Sequence, residues 1–237
     1  YINHLEEDGK VTSKQFTEDK TFNNESFETF QKGASLTDQF IVYSVKESAT
    51  DELRIIPYAF DGKKKKFRFE QERHYFWRDI DRIQDAVMLD NQTVAFIGYQ
   101  DGFSNIYLAN LEKSSFEKIT EGQDHYSDLE YSTSTKLLYF SREGERDSKY
   151  IFYDRNLFSL DLKTRLIKQL TSTPKVVEVQ PRISKDGKTM LYVATPDLTY
   201  DLMMMNLETG QQTRVSTMNV GAKNPQWAPD GSIFYNG

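Results

Sequence analysis

The chain has no cysteine among its 237 residues, so disulfide staples and thiolate chemistry are both excluded. No apolar run approaches the roughly 20 residues that a membrane-spanning helix requires. Histidine is scarce: His4, His74 and His125 are the three, and none has metal-ligand spacing such as His-x-x-x-His. His4 falls in an expected strand and reads as structural. A Gly-x-Ser-x-Gly nucleophile elbow is missing. Asp101, Asp147 and Asp154 do not alternate as calcium ligands do. Tyr1-Ile-Asn-His-Leu is neither a signal peptide nor a natural start, and the chain is expected to be processed or cut from a longer protein. An excess of positive charge is also lacking. A formal charge of -6 argues against broad binding to nucleic acid or anionic membranes. Lys63–Lys66 runs against that balance and reads as a solvated hairpin turn.

What the chain has is aromatic residues and repetition. Aromatics make up 14% of it, with 14 Tyr and 16 Phe, a composition suited to pleated strands. One apolar five-residue segment returns as Phe40–Ser44, Val94–Gly98, Leu137–Ser141, Met190–Ala194 and Ile233–Gly237. Successive starts lie 54, 43, 53 and 43 residues apart. A period in the forties, with several short strands per unit, predicts a β-propeller.

Each unit reads as four strands, A to D. Strand A leads into a tight turn of Asp-Gly type, as in Ser184-Lys-Asp-Gly187 and Ala228-Pro-Asp-Gly231. Strand B is the apolar segment, expected to be buried on both faces between neighbouring blades. Strand C alternates, as in Asn105–Leu111 and Asn156–Leu162, and a short polar turn leads to an edge strand D. The last unit stops after strand B, while Tyr1–Lys10 and Val11–Thr17 read as strands C and D. Joining the ends gives an all-β fold in one domain: a five-bladed propeller of four-stranded antiparallel blades, closed by the N-terminal strands. The blades are expected at about 28–72, 82–121, 128–172, 179–217, and 224–237 with 1–17. Closure would remove exposed sheet edges. The rival is a piece of a six- or seven-bladed ring.

The phrase of strand A, Asp-Gly-Lys turn, apolar segment, Leu-x-Leu-x-Thr-Gly and a Leu-Thr ending resembles the TolB-like (PD40) propeller repeat. The likeness is clearest over 179–217 and at Asn224-Pro-Gln-Trp-Ala-Pro-Asp-Gly231. The units at 82–120 and 128–171 lack the Asp-Gly turn, and that at 28–70 diverges most. The resemblance implies a bacterial periplasmic or cell-envelope protein, a domain of a larger one, that binds a protein or peptide without catalysis or cofactor. An envelope or peptidoglycan-associated protein is among the partners it implies.

The A–B and C–D turns are short, whereas Val45–Glu52, Gln71–Arg82, Arg142–Arg155 and Glu18–Phe27 read as long B–C and D–A loops on the opposite rim. Loop elaboration on one rim of a rigid scaffold is a common place for function. Those loops gather aromatic and Arg residues, the side chains that dominate interfaces. Tyr75, Trp77, Arg78, Tyr126, Arg146, Tyr150 and Tyr153 are the expected partner-binding residues. The alternative is that the rings, Trp77 among them, tuck down and cap the blades. Asp85 and Asp128 stand at expected strand A starts, where a paired acid and base would suit a glycosidase. The competing role for Asp or Asn there is to hydrogen-bond loop backbone, and the equivalent places hold Gln180 and Asn224. A third reading makes the chain the propeller part of a larger peptidase. No catalytic constellation and no metal site emerge.

Overall fold

The computed structural model describes residues 2–5, 10–14, 34–37, 39–47, 50–144, 154–216 and 221–236. Every helix or strand among them is a β-strand. Strands β1 (Ile2–Leu5) and β2 (Val11–Lys14) form a hairpin. The first blade consists of β3 (Ala34–Leu36), β4 (Phe40–Glu47), β5 (Thr50–Asp61) and β6 (Lys66–Phe69), with β7 (Arg73–Tyr75) also on β5. The second is β8 (Arg82–Met88), β9 (Thr93–Gln100), β10 (Phe103–Asn110) and β11 (Ser115–Lys118). The third is β12 (Tyr126–Ser132), β13 (Leu137–Glu143), β14 (Arg155–Asp161) and β15 (Ile167–Gln169). The fourth is β16 (Glu178–Ile183), β17 (Thr189–Ala194), β18 (Asp201–Asn206) and β19 (Gln212–Arg214). A final pair, β20 (Lys223–Trp227) and β21 (Ile233–Asn236), follows. The described pairings leave β1–β2 and β20–β21 as separate two-stranded sheets.

The turns follow from side chains that replace backbone partners. At the end of strand C, Asp61, Asn110, Asp161 and Asn206 each accept amides from the turn that follows. Those amides hold the Asp161 carboxyl below its ordinary range, with Thr164 contributing most. The turns then need one left-handed residue, supplied by Lys65, Ser114, Arg165 and Gly210. Each D strand of blades two to four is followed by a buried hydroxyl. Thr120, Thr171 and Ser216 accept the amides of Ile106, Leu157 and Leu202, each at 2.9 Å. That contact gives the Leu-Thr ending of the repeat its physical meaning.

The core is a series of layers between blades. On β9, Val94 and Phe96 face the first blade with Val42, Leu53 and Ile55, while Ala95 and Ile97 face the third with Leu138 and Phe140. Strand β13 does the same: Leu138 and Phe140 point to one layer and Tyr139 to the next. A strand with two buried faces must be apolar at consecutive positions, which is why strand B carried the repeat signal.

The first blade departs from expectation. Val45–Glu52, expected as a long loop, is mostly paired strand: β4 and β5 continue to the Glu47↔Thr50 pair. Charged residues hold this extension. Arg54 meets Glu52 at 3.2 Å and Glu72 at 3.9 Å, and His74 meets the same two carboxylates at 3.3 and 2.9 Å. Part of Gln71–Arg82 is likewise β7. In the second blade the B–C connection is only Asp101-Gly102, both left-handed, between paired Gln100 and Phe103. In the fourth blade the B–C connection runs from Thr195 to Tyr200.

Candidate functional site

The four A strands of blades two to four and of β20 share a defect. Asp85, Asp128, Gln180 and Asn224 are all left-handed, with φ between 48° and 60°, and a bulge interrupts the register at each. Left-handed geometry suits Asp and Asn, whose short polar side chains bond locally. Here they bond to the next blade. The Asp85 carboxylate accepts the Asp128 amide at 2.8 Å, and the Gln180 side-chain oxygen accepts the Asn224 amide at 2.7 Å. Asp128 itself accepts from the hydroxyls of Ser127 at 2.8 Å and Ser141 at 2.6 Å. Both carboxylates are buried and engaged by hydrogen bonds, the strand-start role weighed against an acid–base pair.

The residue before each left-handed position turns toward a common cavity of about 580 Å³. Gln84, Ser127, Val179 and Lys223 occupy these places, and all four line it. Further lining comes from the ends of B strands (Tyr99, Glu143, Val193), from the D–A connections (His125, Val177), and from Arg155 and Tyr200. The cavity therefore opens among B–C and D–A connections. Its wall is partly fixed: Arg155 bonds Ser127 and pairs with Glu143 at 2.9 Å. The Tyr99 hydroxyl donates to Gln84 at 3.2 Å while Arg82 lies 5.5 Å from its ring. Burial pushes the Tyr99 and Tyr126 phenols up, so both stay protonated donors. Lys223 is looser, its ammonium 5.1 Å from the centre of the exposed Tyr200 ring.

The expected binding residues divide. Trp77 is in the core, 8% exposed, stacked on Phe96 with centroids 5.2 Å apart, and its indole N–H donates to the Ser114 carbonyl at 3.2 Å. It is an interblade wedge, not a rim anchor; a large flat ring gains more by filling that layer than by staying wet. Tyr126 is buried as well, packed on Phe140 at 5.5 Å, and offers the cavity only wall. Tyr75 is half-buried on Trp77 and Arg78 is exposed. Arg146, Tyr150 and Tyr153 lie outside the described residues, as does the Glu18–Phe27 loop. The residues that sequence reasoning passed over are Lys223, Tyr200 and Gln84, whereas Arg155 closes the Arg142–Arg155 loop already expected on this rim. The available signal was positional: each A strand repeats the same step, so the residue before Asp85, Asp128, Gln180 and Asn224 had to share one environment.

This arrangement has counterparts among known proteins. No family model matches the chain. The Tol-Pal system protein TolB of Helicobacter pylori is 26% identical over 147 residues, 61% of this chain and 34% of that protein. The crystal structure of TolB from Acinetobacter baumannii superposes with a TM-score of 0.59 at 16% identity, covering 84% of this chain and 46% of that one. A structure assigned as TolB from Agrobacterium tumefaciens gives 0.62 at 13% identity, covering 86% and 68%. The chain has a TolB-like β-propeller fold.

The TolB-like propeller spans about a third of the length of the curated relatives it matches. Its fold is also that of enzymes. A puromycin-hydrolyzing peptidase of Mycobacterium tuberculosis has a TM-score of 0.57 at 16% identity, over 83% of this chain and 32% of that one. An oligogalacturonate lyase solved with manganese has 0.55 at 16% identity, over 83% and 58%. At such identities the likeness carries the fold alone. Among the described residues of this chain no cluster of three or more His, Asp or Glu could hold a metal ion, and no helix is long and apolar enough to cross a membrane.

Proposed function

We propose that the TolB-like propeller is a non-catalytic binding module of the bacterial cell envelope, working in the periplasm and taking a segment of a partner protein at its central cavity. The observation that carries this reading is the cavity's place, on the rim of B–C and D–A connections, with Tyr200, Lys223, His125 and Tyr99 around it. Relatives named for the Tol-Pal system support the envelope setting. Against a glycosidase, Asp85 and Asp128 are buried in structural hydrogen bonds and neither lines the cavity. The mechanism is rigid display: interblade layers hold the rim, so binding needs little rearrangement.

Five blades belong to the same proposal, the last built from β20–β21 and β1–β2. Two observations support it. β1–β2 already lies by the first blade, with the Lys14 ammonium 3.3 Å from the Phe67 carbonyl and 4.7 Å from the centre of the Phe69 ring. β20–β21 packs on the fourth blade through Leu191, Leu202 and Trp227.

The binding reading is tested by affinity capture from envelope extract, with wild type beside Tyr200→Ala/Lys223→Ala. A partner held by wild type and released by the double variant, at an unchanged melting midpoint, is the expected outcome. Equal capture by both would remove the cavity from the account.

A further inference from the structure

The charges around the cavity do not balance. Arg155 and Glu143 neutralise each other at 2.9 Å. Among the described residues no carboxylate pairs with Lys223, whose ammonium rests over Tyr200, and no side-chain acceptor bonds His125, which packs on Phe103 at 6.1 Å. Gln180 donates its side-chain amide to the Asn224 carboxamide oxygen at 3.1 Å, and both residues line the cavity. Among the described residues the cavity lining therefore holds one ammonium without a carboxylate partner, on a chain whose net charge is -6. One side of the same cavity is apolar, formed by Val177, Val179 and Val193.

We infer that the cavity takes an extended partner peptide through one acidic side chain, its carboxylate on Lys223 and an adjacent apolar residue against the valine wall. This rests on the peptide-binding reading above. The one unpaired ammonium among the described lining residues suits one carboxylate and not the repeated charges of a polyuronate, and the valines give no donor to a sugar hydroxyl. The acidic surface disfavours the ligand at long range, so recognition is a contact effect, confined to the ~8 Å over which charges act at physiological salt. Lys223 recognises a point charge, and the Tyr200 ring positions its ammonium.

The probe is an immobilised library of acetylated, amidated hexapeptides with one central position fixed as Asp, Glu, Asn or Gln, printed beside trigalacturonate. Wild type should retain the Asp- or Glu-fixed peptides about tenfold better than their amide counterparts, the difference expected for a hydrogen bond to a charged group. Lys223→Met should erase that preference, Lys223→Arg restore most of it, and Lys64→Met, in an exposed turn, leave it intact. Melting midpoints establish that each variant is folded. Acidic preference persisting in Lys223→Met would overturn the assignment. Binding that Tyr200→Ala abolishes but that ignores the carboxylate would overturn this inference and leave the peptide reading standing. No peptide retained, or trigalacturonate alone, would overturn both.

Discussion

Trp77 shows how a residue type can mislead where its neighbours do not. Its sequence context, between Phe76 and Arg78, has the composition of an interface hot spot, yet Phe76 is the exposed ring and Trp77 the buried one. Trp77→Ala should destabilise the fold by about 3–5 kcal/mol in chemical denaturation, the usual cost of emptying a large aromatic site. Unchanged stability would return Trp77 to the rim. Glu178 is a second residue whose role burial decides. It is 2% exposed, accepts a bond from Thr173 at 3.0 Å, and leaves its other oxygen without a partner among the described residues. Burial raises its pKa above the ordinary 4.5, against the smaller opposing effect of bonds from Thr171 and Thr173. A raised acid binds more protons folded than unfolded, so its contribution to stability falls as pH rises from 4.5 toward the folded value. Above that window Glu178→Gln should raise the melting midpoint, and below 4.5 the two proteins should converge. A variant less stable at pH 8 would mean that the charge is compensated.

At the scale of strands, legibility tracked burial on two faces. Four of the five apolar segments give both faces to interblade layers, while β21 leaves Phe234 and Tyr235 exposed among the described residues; the tight turns were legible because Asp, Asn and Gly carry their own geometry. The β4–β5 extension was hidden because Lys46, Glu47, Asp51 and Glu52 read as solvent loop, and their pairing depends on charges brought from β7, about twenty residues on. The cavity was equally hidden: Gln84, Ser127, Val179 and Lys223 share a place and no chemistry, so only the repeat register could align them. The closure proposal is an element-scale statement about β21. Hydrogen exchange should show the outward-facing amides of Ile233 and Tyr235, the alternate positions to those paired with β20, protected in the intact chain and freely exchanging once residues 1–17 are deleted. The same exchange rates with and without those residues would leave β20–β21 without β1.

For the whole molecule, the layered core explains why one end can serve recognition. Among the described residues the interblade layers are filled by side chains of strands A, B and C and by wedges such as Trp77, and they hold the strand ends that line the cavity together with residues of the neighbouring connections. Short turns at the A–B and C–D end leave little there to vary, while the other end gathers the bulged strand starts, Tyr200 and Lys223. The direct measurement is site-specific photo-crosslinking in the envelope, with the photoreactive residue placed at Tyr200 or, at the opposite end of the same blade, at Thr209. The account predicts a discrete crosslinked partner from position 200 and none from position 209. Crosslinks from position 209 alone would contradict it and place recognition on the other face.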